Sequence, residues 1–241
     1  MICIFKFLLN LLEKIVIRFN LYKLLDTTTR FIRKFIKPLN VSNKNSIETV
    51  LIINGGGFVF DDFFDWFISS RIKLKYPNAN IITLDYLKNS HFDKIVIDAK
   101  KKLENITFVN PIHLYAHSAG CALGLALSNY INFTTISFVS PFFSFGPVKE
   151  ISNNIDILNP TTINFISKKY NININKYIPN VKFPINTRII FGSKEIMKPN
   201  ILKFSNLMGI QKIISLKNKI HGLPLWYFEN PSILSALFPL K

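Results

Sequence analysis

The chain has 241 residues, 49% of them hydrophobic, enough to bury one sizeable core and too apolar for a disordered tail. Against 14 Asp and Glu stand 30 Lys and Arg, a formal charge of +16 that suits an anionic partner such as a membrane surface, a nucleic acid or an acidic substrate. The same excess also follows from a composition rich in Ile, Lys, Asn and Phe, the residues of A/T-rich codons. Two cysteines, Cys3 and Cys121, exclude a disulfide framework and a cysteine-based zinc cluster, so no oxidising compartment is required.

Residues 2–25 are rich in Ile, Leu and Phe but are interrupted by Lys6, Asn10, Glu13, Lys14, Arg18 and Lys23. A membrane span wants about 20 nearly uninterrupted apolar residues, and a secretory signal wants a compact apolar run with a small-residue cleavage site. A basic amphipathic helix lying in a membrane interface fits better. Arg30, Arg33, Lys34 and Lys37, interleaved with Phe31 and Phe35, continue its character to residue 37. The alternative is a helix packed on the domain's own core. The expected location is therefore membrane-associated, at the endoplasmic reticulum, or else cytoplasmic. Residues 38–48 read as a linker.

From residue 49 to the end, short β-branched runs alternate with helical stretches. Strands are expected at 49–53, 80–85, 112–115, 134–139, 187–191 and 212–216, mostly as continuous apolar runs suited to parallel strands covered on both faces. Helices are expected near 62–75, 92–105, 119–131, 199–208 and 224–237. This alternation predicts an α/β class, with an open, mostly parallel sheet flanked by helices. Residues 142–185 break the rhythm. A structureless loop of that length does not suit a compact domain, so the stretch reads as an inserted cap with one or two helices.

The sharpest local signal is Tyr115-Ala116-His117-Ser118-Ala119-Gly120. An apolar strand runs directly into Ser118, and a helix rich in small residues follows. That is the setting of a nucleophile elbow, where the serine sits on a tight turn between small neighbours. Ala116 stands where glycine is usual. The alternative is an ordinary N-cap serine. A second signal agrees with the elbow. The expected strand at 49–53 runs into Asn54-Gly55-Gly56-Gly57-Phe58, a glycine-rich loop able to present backbone N–H groups to an oxyanion. A phosphate loop would want Gly-x-Gly-x-x-Gly or a Lys-Ser/Thr ending, and neither is present.

A serine nucleophile needs a base, and the base needs an acid to orient it. Of the four histidines, His113 lies within a strand, His117 adjoins the elbow with its side chain directed elsewhere, and His91 lies in a polar loop. His221, between the last expected strand and helix, can reach the carboxyl edge of the sheet and is the best base. Glu195 ends the turn after the strand at 187–191 and is the best acid; Asp85 and Asp98 are the alternatives.

These motifs, with Ser140-Pro141-Phe142 and His221-Gly222, resemble the hormone-sensitive-lipase-like esterases of the α/β-hydrolase fold, in particular small esterases that include steryl acetyl hydrolases. The resemblance covers roughly residues 49–237. It implies Ser118 as nucleophile, His221 as general base, Glu195 as orienting acid, and the backbone of Gly56, Gly57 and Ala119 as the oxyanion hole. Two positions depart from the family's pattern: Asn54 stands for a usual histidine and Glu195 for a usual aspartate. Neither a cofactor nor a metal is expected. Phe58, Phe142, Phe143, Phe145 and Trp226 flank the motifs and are candidates for an apolar pocket, with core packing as their alternative.

The expected function is a serine esterase acting on a lipophilic ester, such as an acetylated sterol or a short-chain lipid ester, with a membrane surface as partner through residues 1–37. Two alternatives stay open: a non-catalytic binding protein of the same fold, and an arylformamidase-type amidase, which the His-Ser-Ala-Gly run also resembles. A nucleic-acid binder is not expected, because Lys and Arg are scattered along the whole chain.

Overall fold

A computed structural model of the chain describes residues 27–28, 31, 40–42, 45–58, 65–144, 147–148, 156 and 158–221. Most of the expected amphipathic segment at 1–37, the last expected helix at 224–237, Phe145 and Trp226 lie outside the described residues. Among the described residues, no helix is long and apolar enough to cross a membrane.

Six strands form one sheet: β1 (Glu48–Ile53), β2 (Ala79–Thr83), β3 (Ile112–His117), β4 (Thr135–Val139), β5 (Thr187–Gly192) and β6 (Lys212–Leu216). All pairings are parallel, in the order β2-β1-β3-β4-β5-β6. Every residue of β1, β4 and β5 is buried, as continuous apolar runs require when both faces are covered. The two edges differ from this. Alternate residues of β2 are only half-buried, and Lys212 and Ser215 of β6 are exposed, the polar treatment that an open edge needs.

The connections are α1 (Asp65–Lys75), α2 (Phe92–Glu104), α3 (Ala119–Leu127), α4 (Pro160–Lys169) and α5 (Lys198–Leu207). The apolar side chains sort into two clusters, one on each sheet face. The larger holds Leu51, Leu114, Phe138 and Phe191 under helices α2, α3 and α5. The smaller holds Val50, Ile52, Tyr115 and Ile190 against Ile68 and Ile72 of α1. Successive strand residues point to opposite faces, which produces this division.

The insertion between β4 and β5 contains α4 and two short 3-10 turns, at Ile174–Lys176 and Ile178–Asn180. Asn159 starts α4 by accepting a bond from Thr161 N at 2.8 Å, with Pro160 in the first turn. The expected linker contributes to the sheet edge. Val41 exchanges two backbone hydrogen bonds with Ile81, and Asn40 Oδ1 accepts from Thr83 N at 2.8 Å. Residues 40–42 thus cover part of the outer side of β2 instead of spanning free between domains, and β1 begins at Glu48, inside the expected linker.

Candidate active site

The strand order reverses between β1 and β3, because β2 lies to one side of β1 and every later strand to the other. Crevices outside the carboxyl ends of strands at such a point are where open α/β sheets bind ligands. β1 ends there in the glycine loop and β3 ends in Ser118. The Ser118 backbone has φ 52 and ψ −122, a conformation that costs a non-glycine residue about 1–3 kcal/mol and needs surrounding structure to hold it. Three backbone bonds supply that: Ser118 N donates to Val139 O at 2.9 Å, and Ser118 O accepts from Cys121 N and Phe142 N, each at 3.0 Å.

Helix α3 starts directly after the serine and is buried along its whole length. Its small residues make this close approach feasible. A Cβ on Gly120 would run into the carbonyls of Ile53 and Asn54. At Gly124 a Cβ would lie 3.2 Å from the Ala116 methyl, so the missing side chain leaves space for the methyl that replaces the usual glycine before the serine.

His221 arrives from the loop after β6, and its Nε2 lies 2.9 Å from Ser118 Oγ. Its Nδ1 faces Glu195 Oε2 at 3.2 Å. A neutral imidazole with its proton on Nδ1 satisfies both contacts. The Glu195 side chain has no exposed surface. Its second oxygen, Oε1, accepts from Ser140 Oγ at 2.8 Å and from Gly192 N at 2.6 Å. These donors hold a buried carboxylate in one orientation. Gly192 is needed for a separate reason: a Cβ there would collide with the carbonyl of Lys219 in the histidine loop.

The glycine loop sits beside the serine. A Cβ on Gly55 would come within 2.8 Å of Ser118 Cβ. Gly56 and Gly57 adopt φ 92 and φ 63, a region open to glycine. Their N–H groups and that of Ala119 make no hydrogen bond to another described residue, as oxyanion donors must not in the free site. Tyr86 braces the loop from behind, donating its hydroxyl towards the carbonyls of Asn54 at 2.8 Å and Gly55 at 3.0 Å.

Solved structures of similar shape include esterases. One is the Pyrobaculum calidifontis esterase, 14% identical, with a TM-score of 0.65 over 90% of this chain and 89% of that one. Another is carboxyl esterase 2 of the fungus Tuber melanosporum, 14% identical, TM-score 0.62, covering 81% and 77%. A third is an esterase from the bacterial hormone-sensitive lipase family, 18% identical, TM-score 0.62, covering 80% and 74%. The chain has the α/β-hydrolase fold. No protein-family profile matches its sequence, and no curated protein does.

Within this α/β-hydrolase fold the remaining candidates take distinct places. Phe58 and Phe143 expose no surface. Phe58 packs on Tyr86 and Phe92, and Phe143 stacks on Phe204 at 4.0 Å, so both belong to the core and neither presents surface to a pocket. Phe142 lies just after β4, donates its backbone N–H to Ser118 O at 3.0 Å and is 5% exposed. Asp98 pairs with Lys102 and accepts from Leu87 N, and Asp85 lies just beyond edge strand β2; the carboxylate on the His221 ring is that of Glu195. His91 precedes α2 and is exposed. His117 departs from expectation, because its ring stacks on that of His221, with centroids 5.9 Å apart.

Three contributors carried no sequence signal as site residues: Ser140, Tyr86 and Asp156. Ser140 lay in a quoted motif, yet its bond to the acid crosses 55 positions. A hollow of about 380 Å³ lined by Lys100, Leu103, Phe108, Tyr130 and Ile131 lies at the amino end of β3, at the opposite end of that strand from Ser118. Among the described residues, no three His, Cys, Asp or Glu side chains gather as a metal site.

Proposed function

We propose that this protein is a serine hydrolase that cleaves carboxylic esters through an acyl-enzyme on Ser118. The observation that carries the reading is the continuous contact from Ser118 Oγ through the His221 ring to the buried Glu195 carboxylate, at 2.9 and 3.2 Å, on an elbow beside loop amides that make no hydrogen bond to another described residue. The esterase neighbours support the same reaction class.

In the proposed cycle, His221 Nε2 takes the Ser118 hydroxyl proton as Oγ attacks the ester carbonyl. The negative charge that develops on the carbonyl oxygen is held by the N–H groups of Gly56, Gly57 and Ala119, with the N-terminus of α3 adding its dipole. Glu195 stabilises the imidazolium. His221 then returns the proton to the departing alkoxide, leaving an acyl-serine. A water molecule repeats the sequence and releases the acid. The substrate we infer is a lipophilic ester such as an acetylated sterol or short-chain lipid ester, met at a membrane surface; the basic, apolar residues 1–37 and the charge of +16 support that choice.

The test is hydrolysis of p-nitrophenyl acetate, butyrate and decanoate by the full chain beside Ser118→Ala. The reading expects turnover that disappears in the variant, with a chain-length profile that sizes the acyl site. Equal rates for the two folded proteins would contradict it.

A further inference from the structure

We propose that Asp156, on the insertion between β4 and β5, is a positioning residue that clamps the backbone of His221 to the backbone beside Glu195. The proposal rests on the serine-hydrolase reading above. Asp156 is fully buried, and its two oxygens divide between the two loops. Oδ1 accepts from the His221 amide at 2.9 Å, and Oδ2 accepts from the Ile196 amide at 2.7 Å. Ile196 follows Glu195 directly. One carboxylate therefore joins the main chain of both members of the base–acid pair.

The chemistry favours a specific clamp over incidental packing. Burying a carboxylate is strongly unfavourable unless donors meet it, and hydrogen bonds to an ionised acceptor are roughly twice as strong as neutral ones. The histidine loop has no regular structure of its own. Ser193 N bonds Leu216 O, Lys194 N bonds Lys219 O, and Ser193 Oγ accepts from Asn218 N, each at 2.9 Å. These ties reach residues 216–219, and Asp156 extends the attachment two residues further, onto His221. A shift of about 1 Å in that peptide would take Nε2 out of reach of Ser118 Oγ. Because Asp156 belongs to the insertion between β4 and β5, that insertion is part of the support of the base.

The experiment is steady-state hydrolysis of p-nitrophenyl acetate by full-length wild type, Asp156→Asn and Ile163→Val. Asparagine keeps the shape but turns an amide group towards one of the two backbone donors. We expect kcat to fall about 10²-fold with KM nearly unchanged, because both acylation and deacylation use His221 and neither the pocket nor the nucleophile is touched. Ile163→Val, on the buried face of α4 in the same insertion, should lower the melting temperature and leave kcat alone. Wild-type kcat in a folded Asp156→Asn protein, or a change confined to KM, would overturn the clamp.

If Asp156→Asn does not fold, amide hydrogen exchange on the wild type decides. His221 and Ile196 should exchange slowly, and exchange at the rate of open loop amides would overturn the proposal. Failure of the underlying reading has a different signature: wild type itself would lack Ser118-dependent turnover, whatever the protection of those two amides.

Discussion

The two ends of the sheet carry the same three kinds of side chain at nearly the same distances. At the carboxyl end, His221 lies 2.9 Å from the hydroxyl of Ser118 and 3.2 Å from Glu195. At the amino end, His113 lies 2.9 Å from the hydroxyl of Thr135 and 3.2 Å from Glu48. Both glutamates are buried. Residue types and distances therefore do not make a nucleophilic site, and what differs is the backbone around each hydroxyl. Thr135 is a strand residue, paired directly across from His113 in the register of β3 and β4. It follows no elbow and faces no glycine loop. The ring nitrogens are also exchanged: the hydroxyl meets Nδ1 at the amino end and Nε2 at the carboxyl end. The amino-end ring is stacked on Tyr76 at 5.6 Å, whose phenol is pushed up to about 12 by burial, then by the Glu48 charge, against an opposing effect of Arg188. That end reads as a buried polar tie between strands. Ser118, by contrast, stands at the switch point with N–H donors on two sides.

The largest expected effect separates the two ends outright. Ser118→Ala and His221→Ala should each lower kcat for p-nitrophenyl acetate by about 10⁴–10⁶-fold. Glu195→Gln comes next, at about 10³–10⁴-fold, because one of the acceptors facing Ser140, Gly192 and His221 becomes a donor; thermal melting should confirm that the variant is folded. Gly55→Ala should reduce kcat about 10²-fold by pushing the glycine loop, the proposed oxyanion hole, away from Ser118, since the new methyl would start 2.8 Å from the serine Cβ. Tyr86→Phe removes the brace behind that loop, and we expect a loss of about 1–2 kcal/mol in urea unfolding with only a few-fold drop in kcat. The smallest effect on activity belongs to the other end. Thr135→Val should leave kcat unchanged while lowering stability by about 1 kcal/mol. A loss of activity there would break the distinction between the two ends.

The candidate site was legible in sequence where local geometry dictates composition. A strand entering a serine flanked by Ala116 and Gly120, and a strand entering three glycines, are patterns that steric demand writes into neighbouring positions. Glu195 and His221 could be found because each follows a strand and so emerges at one edge of a parallel sheet. The strand positions followed from apolar runs to within two residues, whereas the helix expected at 119–131 ends at Leu127, four residues early. What stayed hidden were contacts to the main chain across long separations. Asp156 meets two backbone amides 40 and 65 positions away, and an amide carries no residue identity for a sequence to display. Tyr86 reaches the glycine loop in the same way, 31 and 32 positions away. The stacking of His117 on His221 depends on where the last loop folds back, which the elbow alone does not specify. Phe58 and Phe143 illustrate the opposite difficulty: an aromatic beside a motif reads alike whether it faces a substrate or the core.

In the proposed cycle Ser118 alone is an activated nucleophile. Treating the folded full-length protein with a fluorophosphonate and locating the adduct by mass spectrometry distinguishes it from every other hydroxyl. We expect a single adduct on Ser118, absent when His221 is replaced by alanine. An unlabelled wild type, or an adduct on another residue that persists in Ser118→Ala, would contradict that cycle.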